Sequence, residues 1–492
     1  MPRSAADKNA SRNPTAALGD DASSQQRFWV TMAVIVVASL AVRVVASRGD
    51  FWIDEIWSVN FAREATSPAD IFRLRVDNNH LLNTLILHLE RFQSSFWVMR
   101  MHSVLAGAAS VALAGLWLRR WAGSPAAVFA MILLACSYIM VNYGSEARGY
   151  AMQVMFLLAA LLALDHGLSR RSWVWAVVFW ICCAMGFLSH ALFLHGYAAM
   201  LAWSAWSVWN QNWTAPRRLL VLAMFHAVPM ACAAALYVVF LRHLQIAGAV
   251  SSSLWITLRD TASFALGLPR SEAWGAAALV AAALIVLGGT FTLWRKRLDT
   301  WVFFITACVI APALVAWASS AEFLLPRYFL IPITCLLLLA SALLGFLWTS
   351  GVNGRAVAVL LVVAFIAANS IDTRRLIEHG RGHYLDAMRY IVAHSADGDI
   401  LIAGDHDKRE STIVDFYKPY LHTNTVLQYV PRDRLSSVKP QWMLLHRWEG
   451  EAAPPEVFTV QFGQPMAFER RASFEASPLG GWRCYVYERI SP

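Results

Sequence analysis

Apolar residues in this chain come in long runs, separated by short polar connections. Several runs reach the roughly 20 residues needed to cross a bilayer. The pattern predicts eleven spans, at about 28–47, 97–118, 122–142, 147–166, 172–188, 190–209, 219–241, 273–294, 301–319, 326–348 and 354–371. The fifth and sixth form a nearly continuous tract, so their division is the weakest. Alternate connections carry Arg119–Arg120, Arg170–Arg171, Arg217–Arg218, Arg295–Lys296–Arg297 and Arg355. The N-terminal stretch adds Arg3, Lys8, Arg12 and Arg27. The positive-inside rule puts that side in the cytoplasm, and an odd number of spans then puts the C-terminal part outside.

The long polar segments fall on the external side, at about 48–96 and 242–272. In the first, Ser67-Pro68-Ala69-Asp70 reads as a helix start. Residues 53–63 and 81–92 are amphipathic. Ile53, Ile56, Trp57 and Phe61 share one face of the first, with Asp54, Glu55 and Ser58 on the other. Leu81, Leu85, Leu89 and Phe92 share one face of the second, opposite Asn83, Glu90 and Arg91. Both are expected to lie in the interface with their polar faces in water. Beyond residue 371 the pattern changes. HYLDAMRYIVAHS and ESTIVDFYKPYL read as helices, and DILIAGD, WMLLHRW and WRCYVYERI as strands. The expectation is a disordered cytoplasmic N-terminus (1–27), a transmembrane region (28–371) and a small external α/β domain (372–492).

Composition agrees with a polytopic α-helical membrane protein: 58% of the 492 residues are hydrophobic and 15% charged. The net charge of +9 lies largely in short loops, with no basic tract of the kind that binds nucleic acid. Six of the seven cysteines lie in apolar runs, and Cys484 is alone in the C-terminal part, which excludes a disulfide within it. There is no Gly-rich phosphate loop and no zinc spacing.

The notable polar residues map to the external face. Asp54 and Glu55 sit in GDFWIDEIWS, among Trp residues typical of a membrane boundary. Partial desolvation of Asp54 would make it a usable base, whereas a solvated interfacial helix would need no such role. Asp77-Asn78-Asn79-His80 can cap the next helix or hold an anion at its start. Glu146, Arg148 and Tyr150 lie in GSEARGYAM, where Arg148 either anchors to headgroups or serves a site. His190 is either a packing residue or functional, and a divalent metal held by His and carboxylate is an open alternative. Arg327 and Tyr328 follow Glu322 at the start of the tenth span, and Arg327 can hold a lipid phosphate. Arg242 is a weaker candidate for that role. Carboxylates and arginines gathered at one interface suit a reaction on an amphipathic, phosphate-bearing substrate.

In order and approximate position, WIDEIWS, DNNHLLNTLILHL, GSEARGYAM, the His of LSHALF and LLPRYFLIP resemble the GT-C membrane glycosyltransferases of the protein O-mannosyltransferase and aminoarabinose (lipid A) transferase type. The resemblance covers roughly residues 28–371. It departs where many members have His-Pro-Pro-Leu and this chain has His80-Leu81-Leu82-Asn83. It implies inverting transfer of a sugar from a polyprenyl-phosphate donor, outside the plasma (inner) membrane of a bacterium. The acceptor would be an envelope glycolipid, polysaccharide or protein. Asp54 would be the general base, and Glu55 would assist it or position the acceptor. Arg148 and Arg327 would hold the donor phosphate, and His80 and Glu146 would shape the pocket. Two rivals remain: a transporter or lipid flippase, expected to carry charges at mid-membrane depth, and a non-catalytic membrane scaffold.

Overall fold

A computed structural model describes residues 22–91, 95–170, 172–245, 253–318, 324–396, 398–421, 425–462 and 464–490. Arg3, Lys8, Arg12, Phe92, Arg171 and Glu322 lie outside the described residues. Each of the eleven predicted apolar stretches falls on helix. Among the described residues, eight stretches are long and apolar enough to cross a membrane: Ala22–Ala46, Met101–Cys136, Tyr150–Arg170, Ala215–His243, Glu272–Arg295, Thr300–Trp317, Pro326–Thr349 and Val352–His394. Trp173–Ser189 and Phe193–Trp209 are shorter, at 17 residues each. The first described helix is Ala22–Ala46, so residues 22–27 are helical where disorder was expected.

The second and third predicted spans form one helical element, Met101–Cys136, broken at Gly123. Gly123 has φ +88°, a conformation glycine adopts without the Cβ penalty, and Pro125 restarts the helix just beyond it. A second break at Ser137 leads into a short helix, Tyr138–Tyr143. The chain then runs through Gly144–Gly149 into the Tyr150–Arg170 helix.

The C-terminal part carries a six-stranded sheet: β1 (Ile400–Gly404), β2 (Leu427–Tyr429), β3 (Trp442–Arg447), β4 (Val457–Phe462), β5 (Gln464–Phe474) and β6 (Arg483–Arg489). The order is β2-β1-β3-β6-β5-β4, with β1 parallel to both neighbours and the remaining pairs antiparallel. All five elements expected here are present; β2, β4 and β5 are additional. Alternation gives the sheet two apolar faces. Leu444 and Val486 pack with the helices Tyr384–His394 and Asp407–Tyr417, while Met443, Leu445, Tyr485 and Tyr487 pack on the other side with Phe468.

The first long connection holds the helices Ile53–Glu64, Pro68–Ile71 and Leu81–Leu89. Ser67, Pro68 and Asp70 start the second as expected, with Asp70 Oδ2 accepting from the Ser67 N–H at 2.9 Å. The polar faces of the two amphipathic helices, however, are buried in protein and do not face water. Ile53 and Ile56 join an apolar cluster with Tyr384, Met388, Ile413 and Tyr417 of the C-terminal part. On the same helix Asp54, Glu55 and Ser58 are buried too. In Leu81–Leu89 the polar Asn83, Thr84 and His88 are buried together with Leu81 and Leu87, while Leu89 is 73% exposed. Protein packing on both sides of these helices outweighs their amphipathic pattern, because their polar groups find partners within the fold.

Candidate active site

Asp54, in the first turn of Ile53–Glu64, lies between two arginines from distant parts of the chain. Its Oδ2 is 3.0 Å from Arg148 Nη1 and 2.8 Å from Arg327 Nη1. Arg148 enters from the irregular turn before Tyr150, and Arg327 from a single 3₁₀ turn, Pro326–Phe329. Asn78 joins the cluster: its Nδ2 donates to the Asp54 carbonyl at 2.8 Å, and its Oδ1 accepts from Arg148 Nη2 at 2.6 Å. The Arg148 guanidinium also lies 4.9 Å from the Tyr150 ring centre and 5.6 Å from that of Trp52. Among the described residues, Nε of Arg148 and Nε of Arg327 are buried donors with no acceptor. One carboxylate facing two guanidiniums leaves a positive excess, and buried, unused donors suit an anion.

This cluster forms part of the wall of a cavity of about 1540 Å³. Asp54, Asp77, His80, Arg148, Tyr150, His190, Arg327 and Tyr328 all line it. One side is apolar, with Leu188, Leu192, Leu236, Phe240 and Leu244. Another is roofed by the C-terminal part through His406, Lys408, Arg409, Trp448 and Trp482.

The rings of His80, Tyr150 and His190 meet at 4.7–5.0 Å between centres. His80 Nδ1 accepts from the Gly149 N–H at 2.9 Å, and His190 Nδ1 from the Leu192 N–H at 3.1 Å. Burial pushes His80 well below the usual histidine range, with His190 and Arg148 adding to the effect. It pushes His190 down to about 3, helped by Arg148 and Arg327. Both rings are therefore neutral near pH 7. The 77–80 segment does not cap its helix through side chains: Asn78 and His80 bond across to other elements, and Asn79 donates to the carbonyls of Ile71 and Leu74.

Three residues predicted for the site are not on the cavity wall. Glu55, fully buried, takes the Arg100 fork, with Nε–Oε1 at 2.7 Å and Nη2–Oε2 at 2.6 Å. It also accepts from the Ala147 N–H at 2.8 Å. Burial raises the Glu55 carboxyl, but Arg100 outweighs this and holds it below the usual range. Such a group, paired and away from the cavity wall, has the character of a structural anchor. Glu146 is likewise buried, with Oε1 3.4 Å from Arg381 Nε. Burial pushes it up to about 7 against the pull of Arg381. Arg242 is exposed and donates to His243.

Sequence reasoning missed Arg43, Arg100 and Arg381. Arg43 is buried inside the first long helix and donates to the carbonyls of Leu134 and Met140, on either side of the Ser137 break. Gly107 and Gly144 make room for it; a Cβ there would come within 2.6 and 2.7 Å of its Nε. A charge within an apolar run was the available signal. In the C-terminal part, Asp405, Glu410 and His446 each bring a ligand atom within 4.8 Å of the others. Arg409 and Arg447 already pair with those carboxylates, so they are balanced without a cation.

Residues 82–237 match the sequence model of the family described as dolichyl-phosphate-mannose-protein mannosyltransferase. That segment carries Arg148, Tyr150 and His190. No curated protein matches the chain. Among solved structures, the chain is similar to ArnT from Cupriavidus metallidurans in the apo state, at 14% identity and TM-score 0.50, over 93% of this chain and 97% of that one. It is also similar to the Archaeoglobus fulgidus oligosaccharyltransferase in complex with Zn and sulfate, at 12% identity and TM-score 0.50, over 85% of this chain and 68% of that one. The protein is thus a multi-pass membrane protein with the GT-C fold, containing a domain that matches the dolichyl-phosphate-mannose-protein mannosyltransferase family.

Proposed function

We propose that the protein is a membrane glycosyltransferase. It moves a sugar from a polyprenyl-phosphate donor to a hydroxyl of an envelope glycolipid, polysaccharide or protein, on the external face of a bacterial inner membrane. The observation that carries this reading is Asp54 held between Arg148 and Arg327 on the wall of a large cavity with an apolar side. The apolar side suits a prenyl chain, and the two guanidiniums suit the phosphate at its end. With a donor in place, the phosphate takes over part of the pairing that Asp54 now supplies. The acceptor oxygen attacks the anomeric carbon and its proton passes to Asp54. As the new C–O bond forms, the bond to the phosphate oxygen breaks, and Arg148 and Arg327 stabilise the charge left there. A single displacement inverts the anomeric centre. The C-terminal part, residues 372–492, contributes His406, Lys408, Arg409, Trp448 and Trp482 to the cavity wall, and residues 28–371 provide the reacting groups.

The test is transfer from a labelled polyprenyl-phosphate sugar by membranes holding wild type or Asp54→Asn at matched abundance. The expected loss is about 10²–10⁴-fold, the usual contribution of a general base. Wild-type rates in the variant would remove Asp54 from the mechanism.

A further inference from the structure

Arg148 does not lie on a regular element. It sits in Gly144–Gly149, which joins Tyr138–Tyr143 to Tyr150–Arg170. A segment of this kind keeps one conformation only if its groups are tied down from outside. Here they are, one after another. Ala147 donates its N–H to Glu55 and accepts from Asn83 Nδ2 at 3.0 Å. The Arg148 carbonyl accepts from Ser103 Oγ at 3.0 Å, and the Gly149 N–H goes to His80.

One side chain from the C-terminal part grips the start of the segment. Arg381, just past the Val352–His379 helix, is 1% exposed. Its Nη2 donates to the Asn142 carbonyl at 2.7 Å and to Ser145 Oγ at 2.8 Å. Its Nη1 donates to the Ala46 carbonyl, at the end of the first long helix, at 3.1 Å, and its Nε faces Glu146. Glu146 in turn accepts from Asn142 Nδ2 at 3.1 Å, and its carbonyl accepts the Arg148 N–H at 2.8 Å. The C-terminal part closes tightly over this arginine: a Cβ on Gly481 would lie 1.6 Å from the Arg381 carbonyl oxygen.

We infer that Arg381 is a positioning residue. By gripping Asn142, Ser145 and Glu146 it sets the Arg148 guanidinium against Asp54, and so shapes the phosphate site from the C-terminal part. The inference rests on the proposed reading of Arg148 as the donor-phosphate ligand. Arg381 touches no substrate and no cavity wall; it acts through the turn.

A double-mutant cycle tests it. The variants Arg381→Gln, Arg148→Gln and the double are compared by kcat/KM for a labelled polyprenyl-phosphate sugar, at equal amounts of folded protein. A misplaced phosphate ligand costs on the order of 10²-fold, so Arg381→Gln is expected to lose about that much alone. In the Arg148→Gln background it is expected to cost less than about threefold, because contacts acting through one group are not additive. Arg381→Lys, which keeps the charge, is expected to recover part of the loss. If Arg381→Gln does not fold, Ser145→Ala, which deletes one of its acceptors, replaces it in the same cycle. Undecaprenyl phosphate alone, read as protection against thermal unfolding, gives a second measure with the same expected pattern. Losses that multiply in the double variant overturn the inference. A wild type that neither binds undecaprenyl phosphate nor transfers sugar overturns the proposed function, and the role of Arg381 with it.

Discussion

Asp54 and Glu55 are neighbours in sequence and opposites in structure. Asp54 lies on a cavity wall, shares two arginines, and borders space that a substrate can enter. Glu55 points into the protein, where Arg100 fills both of its oxygens. Arg100 also donates to the carbonyls of Ser47, Gly49 and Asp50, so this pair ties down the start of the first loop. Fully paired, buried charge holds a shape; incompletely used charge at a cavity is available for chemistry. An adjacent acidic pair therefore need not be a pair of catalysts.

The largest effect is expected at Arg100. Arg100→Leu leaves the Glu55 charge buried and alone, at an expected cost of about 3–5 kcal/mol, while Glu55→Leu with Arg100→Leu is expected to recover much of it. Unfolding of the purified variants in detergent measures both. If Arg100→Leu is as stable as wild type, Glu55 is no anchor. Asp54→Asn is expected to do the reverse, leaving the fold in place while abolishing most transfer, and the same two assays separate the cases.

Arg327→Gln removes one of two guanidiniums from the proposed phosphate site. A hydrogen bond to a charged group contributes about 1.5–3 kcal/mol, which predicts a loss of about 10–150-fold in kcat/KM for the donor. Arg242→Gln, at an exposed position off the cavity, is expected to leave it unchanged. Equal losses in the two would mean that the cavity cluster has no special role.

Asp50 gives a smaller, pH-dependent effect. Its Oδ2 accepts the Leu385 N–H at 2.8 Å, joining the first loop to the C-terminal part. Burial pushes its carboxyl up to about 6. The fold thus favours the protonated form, so this contribution is full below about pH 4 and is lost as the pH rises through about 6. Asp50→Asn is expected to flatten the fall in melting temperature between pH 4 and 6; an unchanged slope would exclude Asp50 as its source. The smallest effect is expected at Glu449, a partly exposed carboxylate bonded to Arg270 at 2.6 Å and Arg375 at 3.1 Å. Glu449→Gln is expected to cost under about 1 kcal/mol and to matter less at high salt.

Much of this is legible in the sequence. Long apolar runs gave helices in every expected place, since a 20-residue apolar stretch has few other stable outcomes in a bilayer. The hairpin β4–β5 was missed although VFTVQF alternates and Gly463 follows it, a signal masked by the polar residues around it. Asp54, Arg148 and Arg327 stood out because charge at the end of an apolar run is costly and needs a reason. Their partners did not stand out. Arg100 and Arg381 look like ordinary flanking arginines, and only the folded chain brings them to Glu55 and Glu146. The amphipathic reading of 53–63 found the right faces but the wrong neighbour, because periodicity shows that a face is apolar and not what covers it.

The sequence by itself determined a helical membrane protein with a small sheet at its end, and the residue types available for chemistry. Hydrophobic period and length suffice for that, because they are properties of neighbours along the chain. Which carboxylate borders the cavity, and which arginine serves it, was decided only by the tertiary structure. Residues 54, 148 and 327 meet through space, and a charge becomes reactive or inert according to how completely the fold pairs it.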